Sequence, residues 1–562
     1  MHTPHTRTES LYFTYPMFGF VRPPEMDGVR PVHPVAIAGG GPSGLILALE
    51  LARFGIKCVV LEADETVSEG SRAACVSRRS MEILQANGVD QAFLEQALPW
   101  THGTSYYREH EVFRLSMPHS DDERFYPMAN LQQNMFEAIL AERAQKLGVE
   151  IRWQSKVTGI KQSGDAVELT VDTPENEYTL RAQYVAAADG ARSEVRRLMN
   201  LKLNGESHEG RYLIADIKMA APYPTERRAW FDPPSNPGKT VLMHKMARDI
   251  WRIDYALDDD EDEEFEIQEA RVKERITRHL AAIGETTPWT LDWIRLYKAH
   301  CLCLDDYRHG RVLFIGDAAH LVPIFGVRGM NSSMADANNL GWKLAAVMQG
   351  DAPDALLDSY SPERRAATFD VFANAAKSTR FMSPPTRGYT LLRDAALQLA
   401  VTEEFAKPWI NPRQSAPYDY VASSLTTPDQ DAGHEPNASA QEWNRGPRPG
   451  APLACVKLSD GSYLTDHVTC GFTLLVFGAG AERGKWLKGA STNGFQPVVE
   501  VKIITDAAAM RLCDAIDGSA YLVRPDGHVC ARWTKVSTEK VQTALDRAMA
   551  RSAARSAAGS VK

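Results

Sequence analysis

Gly39, Gly41 and Gly44 stand at G-x-G-x-x-G spacing, with Pro42 and Ser43 between the last two. Such a turn suits a dinucleotide. Gly39 permits the turn, Gly41 lets the backbone approach a pyrophosphate, and Gly44 lets a helix pack close to a strand. Glu62 lies 21 residues beyond Gly41, where an acid accepts hydrogen bonds from ribose hydroxyls. Arg72, Arg78 and Arg79 follow, and arginines beside a nucleotide turn can hold phosphate bidentately. Two further acids sit beside glycines, in Asp189-Gly190 and Gly316-Asp317. Asp189 ends a strand, where an acid reaches a ligand at the sheet's edge. Asp317 is placed to bind a polyol hydroxyl, and the competing reading is a helix cap. After it come Pro323, Gly326 and Gly329, then Asn331-Ser332-Ser333. A loop running into a helix here offers N–H groups and a positive dipole end to a ligand ring or carbonyl.

These residues need an α/β scaffold to position them. Val35–Ala38 reads as a buried strand, 45–54 as an apolar helix and 57–61 as a second strand closed by Glu62. A helix starts near Arg79, and Leu131–Leu147 is amphipathic. Segments 151–157, 166–171 and 178–187 form a short meander, and a helix begins near Ser193. Residues 205–300 are β-rich, an antiparallel insert suited to wall a substrate pocket. Val312–Ile315 is a buried strand, and Tyr360–Thr379 is helical. The spacing predicts an arm over 1–33, a dinucleotide domain over 34–204 and 301–379, and the β-rich domain over 205–300. A helical region and linker follow over 380–450, and a small thioredoxin-type α/β unit over 451–562.

The bulk numbers narrow the class. A chain of 562 residues needs several cores, and 44% hydrophobic with 24% charged residues is globular composition. A net charge of −9 disfavours general nucleic-acid binding. The acidic run Asp258–Glu264 reads as a solvated loop or helix start. Eight cysteines without a C-x-x-C pair suit a reducing cytosol and no metal site. No apolar run reaches spanning length. Phe477 to Gly484 has a second glycine pattern, but no acid or arginine closes a strand after it at the right distance.

Three motifs in order, GGGPSG with Glu62, Ala188-Asp189-Gly190, and Gly316-Asp317-Ala-Ala-His320 with Pro323 and Gly329-Met330-Asn331, carry a family resemblance. The chain resembles the single-component, class A FAD-dependent aromatic hydroxylases, in the branch with phenol hydroxylase, 3-(3-hydroxyphenyl)propionate hydroxylase and the polyketide hydroxylases. That branch carries a thioredoxin-like C-terminal domain. The resemblance implies a monooxygenase that hydroxylates a phenolic substrate with NAD(P)H and O2 through a flavin C4a-hydroperoxide. It implies that Gly39, Gly41, Pro42, Ser43, Gly44 and Glu62 hold the ADP half of FAD. Arg72 and Arg79 match family arginines, Gln133 a glutamine near the flavin, and Asp189 a motif tied to FAD and nicotinamide. Asp317 is implied at the ribityl chain, and Gly329, Met330 and Asn331 at the ring's N1 and C2 carbonyl. The Pro323 carbonyl is implied to face the reacting oxygen. A homodimer is expected by family analogy.

Two departures stand out. Phenol hydroxylase-like members carry an acid where Ala74 stands, so the base for the phenol is open; His244, Arg252 and Tyr255 are the candidates. The loop reads Gly326-Val327-Arg328-Gly329, and Arg328 is a candidate for a carboxylated substrate or for tuning the flavin. The alternatives are a hydroxylase of a larger polycyclic aromatic and a non-catalytic FAD-binding scaffold. A flavin halogenase would need W-x-W-x-I-P, and a disulfide oxidoreductase a cysteine pair; neither motif occurs.

Overall fold

Residues 10–258, 260–323, 326–410, 416–429, 446–479 and 499–551 are described by a computed structural model. Most of the expected linker and of the second glycine pattern lie outside them. The first sheet runs Arg308–His309, Val312–Phe314, Tyr178–Ala187, Val32–Ala38, Cys58–Leu61, Glu150–Arg152. All neighbours are parallel except the first pair. The central strands are apolar throughout because both faces are covered. Val35, Ala36 and Ile37 are wholly buried. The hairpin Lys156–Ser163 and Ala166–Asp172 extends from Tyr178–Ala187. On one face the helix Pro42–Arg53 crosses Gly329–Met348 at close range. A Cβ at Gly341 would fall 2.6 Å from the Cβ of Glu50.

The second sheet has eight strands, in the order His320–Leu321, Trp289–Cys303, Asn204–Met219, Ile250–Ala256, Thr240–Lys245, Arg227–Phe231, His102–Tyr107, His110–Ser116. Its middle is the β-rich segment expected from the sequence. Its two ends come from outside 205–300. The hairpin His102–Ser116 joins through a parallel pairing with Arg227–Phe231, a contact over more than 100 residues of chain that local periodicity does not encode. The helix Glu269–Ala282 covers the outer face with Val272, Ile276 and Leu280. It follows the acidic run, whose Asp262 caps the short helix Glu263–Glu266.

Helices Tyr360–Met382 and Arg387–Thr402 pack beside these sheets. The last sheet, Val499–Ile504, Phe472–Phe477, Ala520–Val523, Val529–Trp533, has one parallel and two antiparallel pairings. A buried ion pair joins it to the body, Arg524 to Glu363 at 2.8 Å, and Lys343 of the helix Gly329–Met348 meets the same carboxylate at 2.8 Å. The N-terminal segment is an ordered strap. Tyr12 and Tyr15 are buried, and Phe18 stacks on Trp153 with centroids 4.1 Å apart. No helix among the described residues is long and apolar enough to cross a membrane.

Candidate active site

The first glycine turn is built as its spacing requires. Gly39 has φ +105°, and a Cβ there would lie 2.5 Å from the Ala188 carbonyl oxygen. A Cβ at Gly44 would collide with the Gly39 carbonyl. Beside Gly41, by contrast, nothing lies within 4 Å of where a Cβ would be. The turn therefore presents open space at the start of Pro42–Arg53, where the first N–H groups of a helix are free. Glu62 closes the adjacent strand. Its carboxylate accepts from Gly40 N–H (2.6 Å) and Asp64 N–H (2.9 Å), while burial pushes it up to about 7. Asp189 accepts from Val195 N–H at 3.0 Å and leaves Oδ1 buried without a partner. An open cradle, a half-buried acid at the strand end and an orphaned carboxylate oxygen fit a dinucleotide.

Of the three arginines after Glu62, only Arg72 stays with this cleft. It is exposed, and its charge acts on Asp317 and Glu137. Arg78 donates to Glu123, with Nη2 to Oε2 at 2.9 Å. Arg79, expected at the nucleotide, turns the other way. It donates to Glu82 at 2.8 Å and to the Asp526 carbonyl in the C-terminal turn. Both sit on the outer side of Arg78–Ala86, where carboxylates neutralise them. Gln133 holds the Arg72 loop: its Oε1 accepts Ala73 N–H at 2.9 Å and its amide donates to Glu137 at 2.7 Å.

Asp317 lies across the cleft. It is exposed to the open space yet ringed by protein, and burial raises its pKa against the pull of His320 and Arg72. It does not cap the next helix: Gly329–Met348 has Arg328 at its N-cap and no side-chain cap. Beneath it Asp336 gathers Gly316 N–H (3.0 Å), His320 (2.7 Å) and Arg364 (2.6 Å). The loop to Gly329–Met348 is pinned from three sides. Tyr297 donates its hydroxyl to the Val322 carbonyl at 2.8 Å. Asn331 accepts from Ser77 N–H (2.9 Å) and Ser80 Oγ (2.6 Å) and donates to the carbonyls of Cys75 (3.0 Å) and Val327 (2.7 Å). Val327 itself has φ +60°, a left-handed conformation unusual for a β-branched residue. Pro323 and Arg328 are buried. The first N–H groups of the helix, at Gly329, Met330 and Asn331, have no partner within it.

The second sheet forms the remaining wall, and its alternation sorts the candidate residues. Paired positions share a face. Asp216, Arg252, His244 and Arg227 lie in one row across neighbouring strands. That row faces the first domain, since Arg252 donates to Ser71 Oγ at 2.6 Å and to Asp216 at 3.2 Å. Tyr255 points the opposite way. It packs with Ile253 and Val241 against Ile276, which removes it from the candidates for the base. His244 faces the cleft, but burial and the charges of Arg227 and Arg252 push it down to about 3. Asp254 shares this face, and burial pushes it up to about 7. Sequence reading missed Arg227, Asp254 and Tyr297, because their place at the cleft depends on which strands neighbour which. The one available signal was their even spacing from Arg252 and His244 or their strand partners.

Residues 33–375 match the FAD_binding_3 family, an FAD binding domain. The chain belongs to this family. It is 30% identical over 369 residues to 3-(3-hydroxy-phenyl)propionate/3-hydroxycinnamic acid hydroxylase of Mycolicibacterium smegmatis, across 65% of this chain and 64% of that one. The match thus spans a little under two thirds of that relative. It is 28% identical over 527 residues to 12-dehydrotetracycline 5-monooxygenase/anhydrotetracycline 6-monooxygenase of Streptomyces rimosus subsp. rimosus, across 89% and 95%. The flavin-dependent monooxygenase PieE, solved with FAD and substrate, superposes with a TM-score of 0.78 at 23% identity, over 93% of this chain and 100% of that one. That likeness establishes the shared fold.

Proposed function

We propose that the chain is an FAD-dependent monooxygenase that hydroxylates a phenolic aromatic substrate with a nicotinamide nucleotide and dioxygen. The observation that carries the reading is that contacts join the motif regions. A Cβ at Gly316 would lie 3.0 Å from Ser43 Oγ and 2.9 Å from Ser333 Oγ, Arg72 acts on Asp317, Asn331 accepts from Ser77 N–H, and Arg252 of the second sheet donates to Ser71. Bound FAD supplies the path for electrons from the nicotinamide nucleotide to dioxygen. Gly39, Gly41 and Gly44 would cradle its pyrophosphate, Glu62 would take ribose hydroxyls, and Asp317 would take the polyol chain. The N–H groups of Gly329, Met330 and Asn331 would stabilise negative charge on the ring. Pro323 and Tyr297 shape the face where the substrate ring lies and keep water out. Asp254, raised towards neutrality in its buried setting, is the group placed to move a phenolic proton.

The nicotinamide nucleotide needs an anion site at the mouth of the cleft. Arg72, Arg192 and Arg295 supply it. Burial and the other two charges push Arg295 down to about 10, so this rim gains from a phosphate. The thioredoxin-type reading of 451–562 belongs to the same proposal, supported by a mixed four-stranded sheet whose edge pair is parallel and whose other two pairings are antiparallel. A larger polycyclic substrate is the second reading, favoured by the length of the match to the tetracycline enzyme. The test follows NADH and NADPH oxidation by the FAD-loaded protein with phenols, hydroxylated aromatic acids and polycyclic phenols, while hydrogen peroxide is measured. Oxidation stimulated by one class with little peroxide supports the proposal and selects the class. Bound FAD with no stimulation by any compound overturns it.

A further inference from the structure

The loop over residues 67–74 carries Arg72 and contains no helix or strand. A backbone without a ladder needs partners from elsewhere. Three of its N–H groups find side chains. Ser68 N–H donates to Glu137 at 2.6 Å, and Ala73 N–H to Gln133 at 2.9 Å. Gly70 N–H donates to the Tyr15 hydroxyl at 2.9 Å. Gln133 and Glu137 belong to the start of Gln133–Lys146, whereas Tyr15 comes from the N-terminal strap. Gly70 has φ +70°, and a Cβ there would lie 2.2 Å from the Trp293 ring. The loop therefore also runs hard against the second sheet.

The two tyrosines of the strap act as a pair. Asn134, wholly buried, donates to the Tyr15 hydroxyl at 3.2 Å and accepts from the Tyr12 hydroxyl at 3.2 Å. Packing alone does not call for these hydroxyls. Phe13 and Phe18 fasten the strap with apolar rings, on Tyr15 and Trp153, and a buried hydroxyl costs stability unless it is hydrogen-bonded. At Tyr12 and Tyr15 the hydroxyls go to Asn134 and to the arginine loop. The strap is itself anchored at both ends. Leu11 N–H donates to Asp292 at 2.7 Å, while Lys218 and Arg248 donate to the carbonyls of Leu11 (2.9 Å) and Tyr12 (2.7 Å). On the first domain, Phe18 N–H donates to the Glu65 carbonyl at 2.8 Å, and the Phe18 carbonyl accepts from Gln154 at 3.1 Å.

Within this frame Ser71 is turned inward to Asp216 and Arg252, and Arg72 is left exposed. With both neighbours held, its side chain keeps the open side, where its charge acts on Asp317 and Arg295. Arg192 acts on the same Arg295. Like charges gathered at an open rim are relieved by an anion. We propose that the N-terminal strap is a positioning clamp: Tyr15, backed by Tyr12 through Asn134, fixes Gly70 and so aims Arg72 at the pyrophosphate of a dinucleotide. The source of that pyrophosphate, FAD or the nicotinamide nucleotide, rests on the monooxygenase reading; the clamp itself does not.

The test compares the unmodified FAD-loaded chain with Tyr15→Phe, Tyr12→Phe, Arg72→Met and the double variant of Tyr15→Phe with Arg72→Met. Release of FAD from the diluted holoenzyme is followed by its fluorescence. Binding of NADH and of NADPH is read from the concentration dependence of anaerobic reduction of the bound FAD, whose plateau gives the limiting rate. Tyr15→Phe should weaken FAD binding, nucleotide binding or both by about tenfold, the loss of one buried hydrogen bond, with the limiting rate unchanged. The arm that moves names the source. Tyr12→Phe should weaken the same arm about threefold and carries the test if Tyr15→Phe does not fold. In the Arg72→Met background Tyr15→Phe should add nothing, because the strap acts through that side chain. Unchanged affinities in the tyrosine variants overturn the proposal. So does an equal loss from Tyr15→Phe with and without Arg72, which marks a support of the fold alone. A fall in the limiting rate with both affinities intact overturns it as well. If neither nucleotide reduces the flavin of the unmodified chain, the monooxygenase reading fails and the FAD arm alone decides the clamp.

Discussion

The two faces of the second sheet are made from the same strands and obey opposite rules. On the outer face Trp251, Ile253 and Val241 meet Val272, Ile276 and Leu280 in an apolar layer. On the inner face, one residue along, stand Asp216, Arg252, Asp254, His244 and Arg227. The outer face stabilises the fold by burying apolar area. The inner face buries charge, part of it without a carboxylate partner among the described residues, and burying charge costs stability. The difference teaches that one period-two pattern can serve stability and binding at once, provided the two sides meet different partners.

The largest expected effect lies on the outer face. Trp251→Ala should cost about 3–5 kcal/mol in denaturant unfolding by emptying a fully buried site. A cost below about 1 kcal/mol would mean that this layer is not the sheet's support. Next come two opposed pH windows on the inner face. Between about 3 and the ordinary histidine value near 6.5, unfolded His244 binds a proton that the folded ring does not. Stability should therefore fall as pH drops through that window, by up to about 1.4 kcal/mol per unit, and His244→Asn should flatten the slope. Asp254 behaves inversely. Between the ordinary value near 4 and about 7 the folded carboxyl keeps a proton that the unfolded one has released, so its contribution is lost as pH rises. Asp254→Asn should stabilise the chain at pH 8 relative to pH 4. Unfolding curves across pH that ignore both substitutions would break the contrast between the faces.

Smaller effects belong to the roof over the inner face. Tyr297→Phe removes the hydrogen bond to the Val322 carbonyl and should cost about 1 kcal/mol, with a larger peroxide fraction during turnover because the loop is freed. Val327→Gly relieves a left-handed β-branched residue. The gain, set against the entropy of glycine, should be about 0.5 kcal/mol. A loss there would show that packing of Val327 on the Cys75 cluster outweighs the backbone strain.

The first glycine turn was readable because its physics is local. Gly39, Gly41, Gly44 and Glu62 lie within one strand–helix–strand unit, and each has a steric or hydrogen-bonding reason that spacing alone conveys. The strand at Tyr178–Ala187 and the helix at Gly329–Met348 were legible for the same reason. Arg79 was not, because nothing in its neighbourhood says that the C-terminal turn supplies the Asp526 carbonyl. Tyr255 and His244 look alike in sequence, and only the parity of their register separates them. The helix Glu269–Ala282 has a clear apolar spacing in retrospect, yet it sits inside a segment whose flanks are strands.

The sequence by itself determined the dinucleotide turn, the acid that closes it and the β-rich insert. These follow from steric limits and side-chain periods that act over fewer than about 30 residues, while the family was carried by the resemblance of three motifs in order. The tertiary structure decided which face of the insert meets the first domain and which arginines meet carboxylates. Those outcomes depend on strands brought together from positions more than 100 residues apart, such as Gly103 and Arg227. Burial and pairing are properties of that assembly, and no single stretch of chain contains them.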